Sequence, residues 1–147
     1  CHKIMDNQGV IIMALIQLSE NGTTPFQKLL GYNKDIMLSW SNLSESLETD
    51  NQLSSDLKEE IRSMLAQNHG CAYCKAKGKP SGKFTDEKSM ICLGFVDVYM
   101  KLGTEIPDYI LQTLNDHLTE AEMSELIAFI TFTTCQQYFG AIMKLEV

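Results

Sequence analysis

The stretch Leu118-Thr119-Glu120-Ala121-Glu122 constrains the fold more than any other part of the chain. Thr119 is placed to accept the amide three residues on and Glu122 to reach back, the reciprocal capping that starts a helix. Beyond it Met123, Leu126, Ile127, Phe129, Ile130, Phe132 and Phe139 form a broad apolar stripe. Such a stripe predicts a long final helix buried against neighbours on two sides, in an ordinary core or at a subunit interface.

Apolar positions elsewhere also recur at three- and four-residue spacings, with little period-two alternation, so the fold class is all-α. Helices are expected over roughly 7–19, 25–30 and 34–47. Another starts at Ser54 or Ser55, carries Leu57, Ile61, Met64 and Leu65 inward, and stops at His69-Gly70. A short helix follows, opened by Cys71 and Cys74 and broken at Lys79-Pro80-Ser81-Gly82. Thr85 is expected to cap the next, which closes at Gly103, and Pro107 begins one running to about Leu114. With 147 residues, no repeat and no linker, one domain over residues 1–147 is expected, the first 24 being a less certain extension.

Hydrophobic residues make up 44% of the chain and charged residues 21%, the balance of a globular protein rather than a disordered one. A net charge of -7 argues against nucleic-acid binding, which needs a concentrated basic surface. The longest apolar run, residues 10–16, is far too short to span a bilayer, so a cytoplasmic protein without membrane partners is the simplest reading. Five scattered cysteines are not a secreted disulfide framework. Cys92 and Cys135, in apolar helical stretches, are expected to be buried small hydrophobes.

Cys71-Ala72-Tyr73-Cys74 admits three readings: half a metal clamp, a redox pair, or two packed hydrophobes. Zinc needs four ligands, and the chain has no second such motif and no paired histidines among His2, His69 and His117. The redox reading fits better, because a thiolate is favoured near a helix start and near cations, and Lys75, Lys77, Lys79 and Lys83 follow closely. Each lysine is by itself an ordinary solvated side chain. Glu59, twelve positions before Cys71, could fold back as a general base, or simply stabilise its helix N-terminus.

Glu59 followed by Cys71-Ala72-Tyr73-Cys74 resembles the signature of the alkyl hydroperoxidase D-like (AhpD-like) group of the carboxymuconolactone decarboxylase superfamily. The segments 31–40, 53–59 and 118–126 are similar to that group as well, and the resemblance covers about residues 25–145. It implies an all-α fold assembling into dimers, trimers or hexamers. It also implies peroxide or disulfide reduction without cofactor or metal, with Cys74 as peroxidatic cysteine, Cys71 as resolving cysteine and Glu59 as the acid of a proton relay. The group's histidine four residues after the second cysteine is replaced by Gly78. Support would then come from His69 on the other side, from Lys75 or Lys77 holding the thiolate, and from Tyr73 as a hydrogen-bond donor. Asp97 is a lower-ranked second acid.

The expected function is thus a thiol-dependent peroxidase taking electrons from an external dithiol or thiol-redox protein. The alternative is a redox-sensing protein switched by the same disulfide, which the loss of histidine at Gly78 favours. A decarboxylase or other lyase is weaker, because such superfamily members generally lack the CxxC.

Overall fold

The computed structural model describes residues Cys1–Val147. The chain is mostly helical, with a two-stranded sheet at its start: β1 (His2–Met5), β2 (Ile11–Ala14), α1 (Pro25–Leu30), α2 (Lys34–Glu48), α3 (Ser55–Ala66), α4 (Ala72–Ala76), α5 (Glu87–Leu102), α6 (Asp108–His117) and α7 (Glu120–Ile142).

The hairpin corrects the helix expected over 7–19. The strands pair antiparallel with His2 opposite Ala14 and Met5 opposite Ile11. Asp6 makes the turn: its carboxylate accepts the amides of Gln8 and Val10, and Gly9 takes a positive φ of 81°. Ile12 and Ala14 then point inward while Ile11 is exposed, the alternation of a strand. Met13 exchanges backbone hydrogen bonds with Glu146, so both ends of the chain are tied together. Ile12, Ala14, Leu29 and Leu145 form a small core there, packed against Phe26, Tyr73 and Phe139. The first residues are therefore an integral part of the fold.

Helix starts follow their capping residues. Thr24 and Gln27 make a capping box on α1, Ser54 accepts the amide of Leu57, and Thr119 and Glu122 make the expected box on α7. Asp86, not Thr85, caps α5 by accepting the amide of Ser89, and α6 runs on to His117. The main core joins Leu57, Ile61 and Leu65 of α3, Cys92, Phe95 and Val96 of α5, Leu114 of α6, and Leu126, Phe129 and Ile130 of α7. Lys58 is buried with them. Its ammonium donates to the Thr49 carbonyl and pairs with Glu125, which leaves no unmet charge.

The broad stripe of α7 is used within one chain, for this helix packs against α2, α3, α4 and α6. Ile127, Tyr138 and Ile142 on the same helix are exposed. Helix α2 is different: none of its fifteen residues is buried, and although Leu47 packs against the main core, much of its inner face borders a cavity. No helix is long and apolar enough to cross a membrane.

Candidate functional site

The cavity holds about 300 Å³ and lies where α2, α3, α4 and α7 meet. Cys74 lines it, with Arg62, Tyr73, Lys77, Trp40 and Gln137 among the surrounding side chains.

The chain reaches it through a sharp reversal. Gly70, with φ of 72°, ends the α3 segment, and Cys71 then caps α4, its Sγ accepting the amide of Cys74 at 3.2 Å. Cys71 and Cys74 are joined in a disulfide, their Cα atoms 5.2 Å apart. Cys71 is 1% exposed and Cys74 7%, so Cys74 is the sulfur that faces the cavity. Helix α7 presses on the pair with its backbone: a Cβ on Gly140 would stand 2.6 Å from the Cys71 Sγ, so a glycine is required there. No group of three or more His, Cys, Asp or Glu side chains converges anywhere in the fold.

Glu59 does not touch the sulfurs. Its carboxylate is exposed and grips Arg62, accepting from Nε at 2.8 Å and from a terminal nitrogen at 2.7 Å. Arg62 in turn donates to the Cys74 carbonyl at 2.9 Å. Glu59 therefore reaches the cysteine pair through an arginine that the sequence reading missed. Arg62 is the only arginine in the chain, which was the one available signal. Its neighbour Glu60 is buried and accepts the amides of Ser81 and Gly82 and the Ser81 hydroxyl, clamping the lysine-bearing loop to α3. Burial pushes its pKa up, but those three donors and Lys83 outweigh burial and hold the carboxyl low.

His69 lies outside the cavity lining. Its Nδ1 lies 2.7 Å from the Gln137 Oε1, while Gln137 Nε2 donates to the Arg62 carbonyl, so Nδ1 carries the proton. Burial lowers the His69 pKa, the Gln137 bond opposing it, and the ring packs edge-on against Tyr138. The fully buried Gln137 thus ties His69 to Arg62 around the pair, a link without local sequence signature.

Tyr73 stacks on Phe26 in the cavity wall, and burial raises its pKa against the effect of Thr24. The Lys77 ammonium lies 5.1 Å over the Tyr73 ring. Lys77 is exposed as a residue, yet partial desolvation of its ammonium beside the cavity wall, and then repulsion from Arg62, lower its pKa, while Glu48 and Glu59 oppose the shift. Lys75 is exposed and outside the lining, and so is Asp97 on α5. Gly78 has φ of 146°, a conformation in which a side chain is strained, so the loop at this position is built for glycine rather than for histidine.

The two remaining helical cysteines part company. Cys92 is fully buried, and burial and Glu122 push its thiol up to about 11. Cys135 is exposed, contrary to expectation, because it lies on the outer side of α7.

No protein-family model matches the chain, and no curated protein does. Among solved structures it is similar to the apo form of the debrominase Bmp8, with a TM-score of 0.70 at 16% identity over 84% of this chain and 76% of that one. That likeness is one of fold.

Proposed function

We propose that the protein is a thiol-dependent peroxidase of the AhpD-like kind, a dithiol that reduces hydroperoxides. The observation that supports this most is the division between the two sulfurs: Cys74 borders a cavity while its partner Cys71 lies beneath it. The Cys74 thiolate attacks the terminal oxygen of the hydroperoxide. The O–O bond breaks, the alkoxide leaves and takes a proton, and Cys74 becomes a sulfenic acid. The Cys71 thiolate then attacks the Cys74 sulfur, and hydroxide leaves as water once protonated. One hydroperoxide and two thiols become an alcohol, water and the disulfide, and an external thiol reductant restores the pair.

Three neighbours fit this sequence. The amide of Cys74 donates to the Cys71 Sγ, which favours a thiolate on the resolving residue. Lys77 brings an ammonium to the cavity, where it offsets negative charge on Cys74 and supplies a proton to the alkoxide. Glu59 is a positioning residue, since it fixes the arginine that holds the Cys74 carbonyl.

The test is peroxide loss under excess dithiothreitol with mass mapping of the cysteines. Multiple turnovers with a Cys71–Cys74 disulfide are expected; Cys74→Ser should abolish them, and Cys71→Ser should leave a sulfenic acid on Cys74. Turnover that survives Cys74→Ser would sink the proposal. The second reading, a redox switch, draws on Gly78, where histidine is absent and the backbone favours glycine. It expects one disulfide per peroxide with no further turnover. Bromide release from a brominated compound, measured alongside, would instead align the chain with the chemistry named for Bmp8.

A further inference from the structure

We propose that the thiol which returns the Cys71–Cys74 pair to its reduced form is a small zwitterion, an amino-acid-like or short-peptide thiol bearing both a carboxylate and an ammonium group. It would be seated between Lys77 and the pair Glu45 and Glu48. The inference deepens the peroxidase reading and rests on it only in requiring an external electron donor.

The cavity's charges carry the argument. Arg62 is consumed by Glu59, but Lys77, Glu45 and Glu48, all exposed, stand at the rim of the same cavity; none of them closes an ion pair, although the Glu48 charge is felt at Lys77. Lys77 stands one turn beyond Cys74, its amide bonded to the Cys74 carbonyl at 3.4 Å, so its charge belongs to the wall that carries the reactive sulfur. Glu45 and Glu48 are one turn apart on α2, and Glu48 accepts only the Ser44 hydroxyl. An anionic thiol would meet Lys77 but be repelled by two carboxylates. A cationic one would meet the carboxylates but be repelled by Lys77. A neutral thiol is repelled by neither wall but gains from neither, whereas a ligand with both charges gains from both. A volume of about 300 Å³ is at the small end for ligand sites, which suits a molecule of this size.

The exchange balances. One thiolate attacks Cys74, the sulfur that borders the cavity, forming a mixed disulfide and expelling the Cys71 thiolate. A second thiolate attacks the bound thiol's sulfur, releasing the low-molecular-weight disulfide and the Cys74 thiolate. Two thiols are oxidised, the protein disulfide is reduced by two electrons, and the two protons end on Cys71 and Cys74.

Four thiols form the test: cysteine with both charges, N-acetylcysteine with the carboxylate alone, cysteamine with the ammonium alone, and 2-mercaptoethanol with neither. Trp40, the only tryptophan, lines the cavity, so its fluorescence follows reduction of the oxidised protein without any peroxide present. Rates are compared per thiolate at low ionic strength. Cysteine should lead 2-mercaptoethanol by about tenfold, the combined scale of two partly exposed ion pairs, and salt should shrink the lead. Lys77→Gln should erase the advantage given by a carboxylate and spare that given by an ammonium. The double variant Glu45→Gln, Glu48→Gln should do the reverse. Rates that follow thiolate basicity alone, or advantages unmoved by these substitutions in folded variants, would overturn the proposal. Loss of peroxidase activity with dithiothreitol would count against the peroxidase reading while leaving this ranking intact.

Discussion

Cys74 and Cys92 are both buried sulfurs on helices packed against α3, yet their surroundings differ in kind. Cys74 meets a polar cavity with Lys77 and Arg62 at its edge. Cys92 meets Phe95, Val96 and the rest of the main core, with the Glu122 carboxylate as the charge that most opposes its ionisation. Burial alone therefore does not decide whether a thiol is chemical or structural. The sign of the nearby charge and the presence of a cavity decide it.

The largest expected effect breaks that comparison directly. Cys74→Ser should lower peroxide turnover by about a thousandfold or more, the usual scale for loss of a nucleophile, whereas Cys92→Ala should change it less than about twofold. Equal losses in a steady-state assay would erase the distinction.

Next comes the glycine contrast between the helices that flank the two sulfurs. Gly140→Ala would push a Cβ to 2.6 Å from the Cys71 Sγ and should destabilise the fold by about 1–3 kcal/mol. Gly94→Ala on α5 meets nothing within 4 Å and should stabilise by about 0.5–1 kcal/mol through helix propensity. Urea midpoints of the two variants should move in opposite directions.

A pH scan sharpens the same comparison. The thiol of Cys92 is raised from 9.0 to about 11, so the folded state keeps a proton that the unfolded chain releases. Its contribution is complete below pH 9.0 and is lost as pH rises towards about 11. The parent should lose about 2 kcal/mol more than Cys92→Ala across that window. Parallel stability curves would show that Cys92 is not desolvated.

The smallest effect is on the acid side. His69 is lowered by burial, so the unfolded chain takes up a proton that the folded one refuses. Stability should fall as pH drops from the ordinary histidine range through the lowered folded value, and His69→Phe should flatten that slope.

Much of the helical frame was legible because it depends on neighbours in sequence. Thr119 and Glu122, Ser54, Gly103 and the apolar spacing of α3 and α7 each act within a turn or two. The hairpin was misread because Ile11, Ile12, Leu15 and Ile16 also fit a helical spacing. What excludes a helix there is the Asp6 turn and the pairing of Met13 with Glu146, distant in the chain. Cys135 was misplaced for a related reason: its apolar neighbours in sequence do not say which side of α7 faces solvent.

By itself the sequence determined a mostly helical chain, its principal caps and a CxxC at the start of a short helix, since propensity, capping and spacing are local. Tertiary structure alone decided which sulfur faces the cavity, that Glu59 is joined to the Cys74 carbonyl through Arg62, and that Gln137 binds His69 from a helix 68 positions away. It also set the unpaired charges of Lys77, Glu45 and Glu48 around one space. Those relations join residues far apart in the chain, and the packing of α2 and α7 over α4 is what creates them.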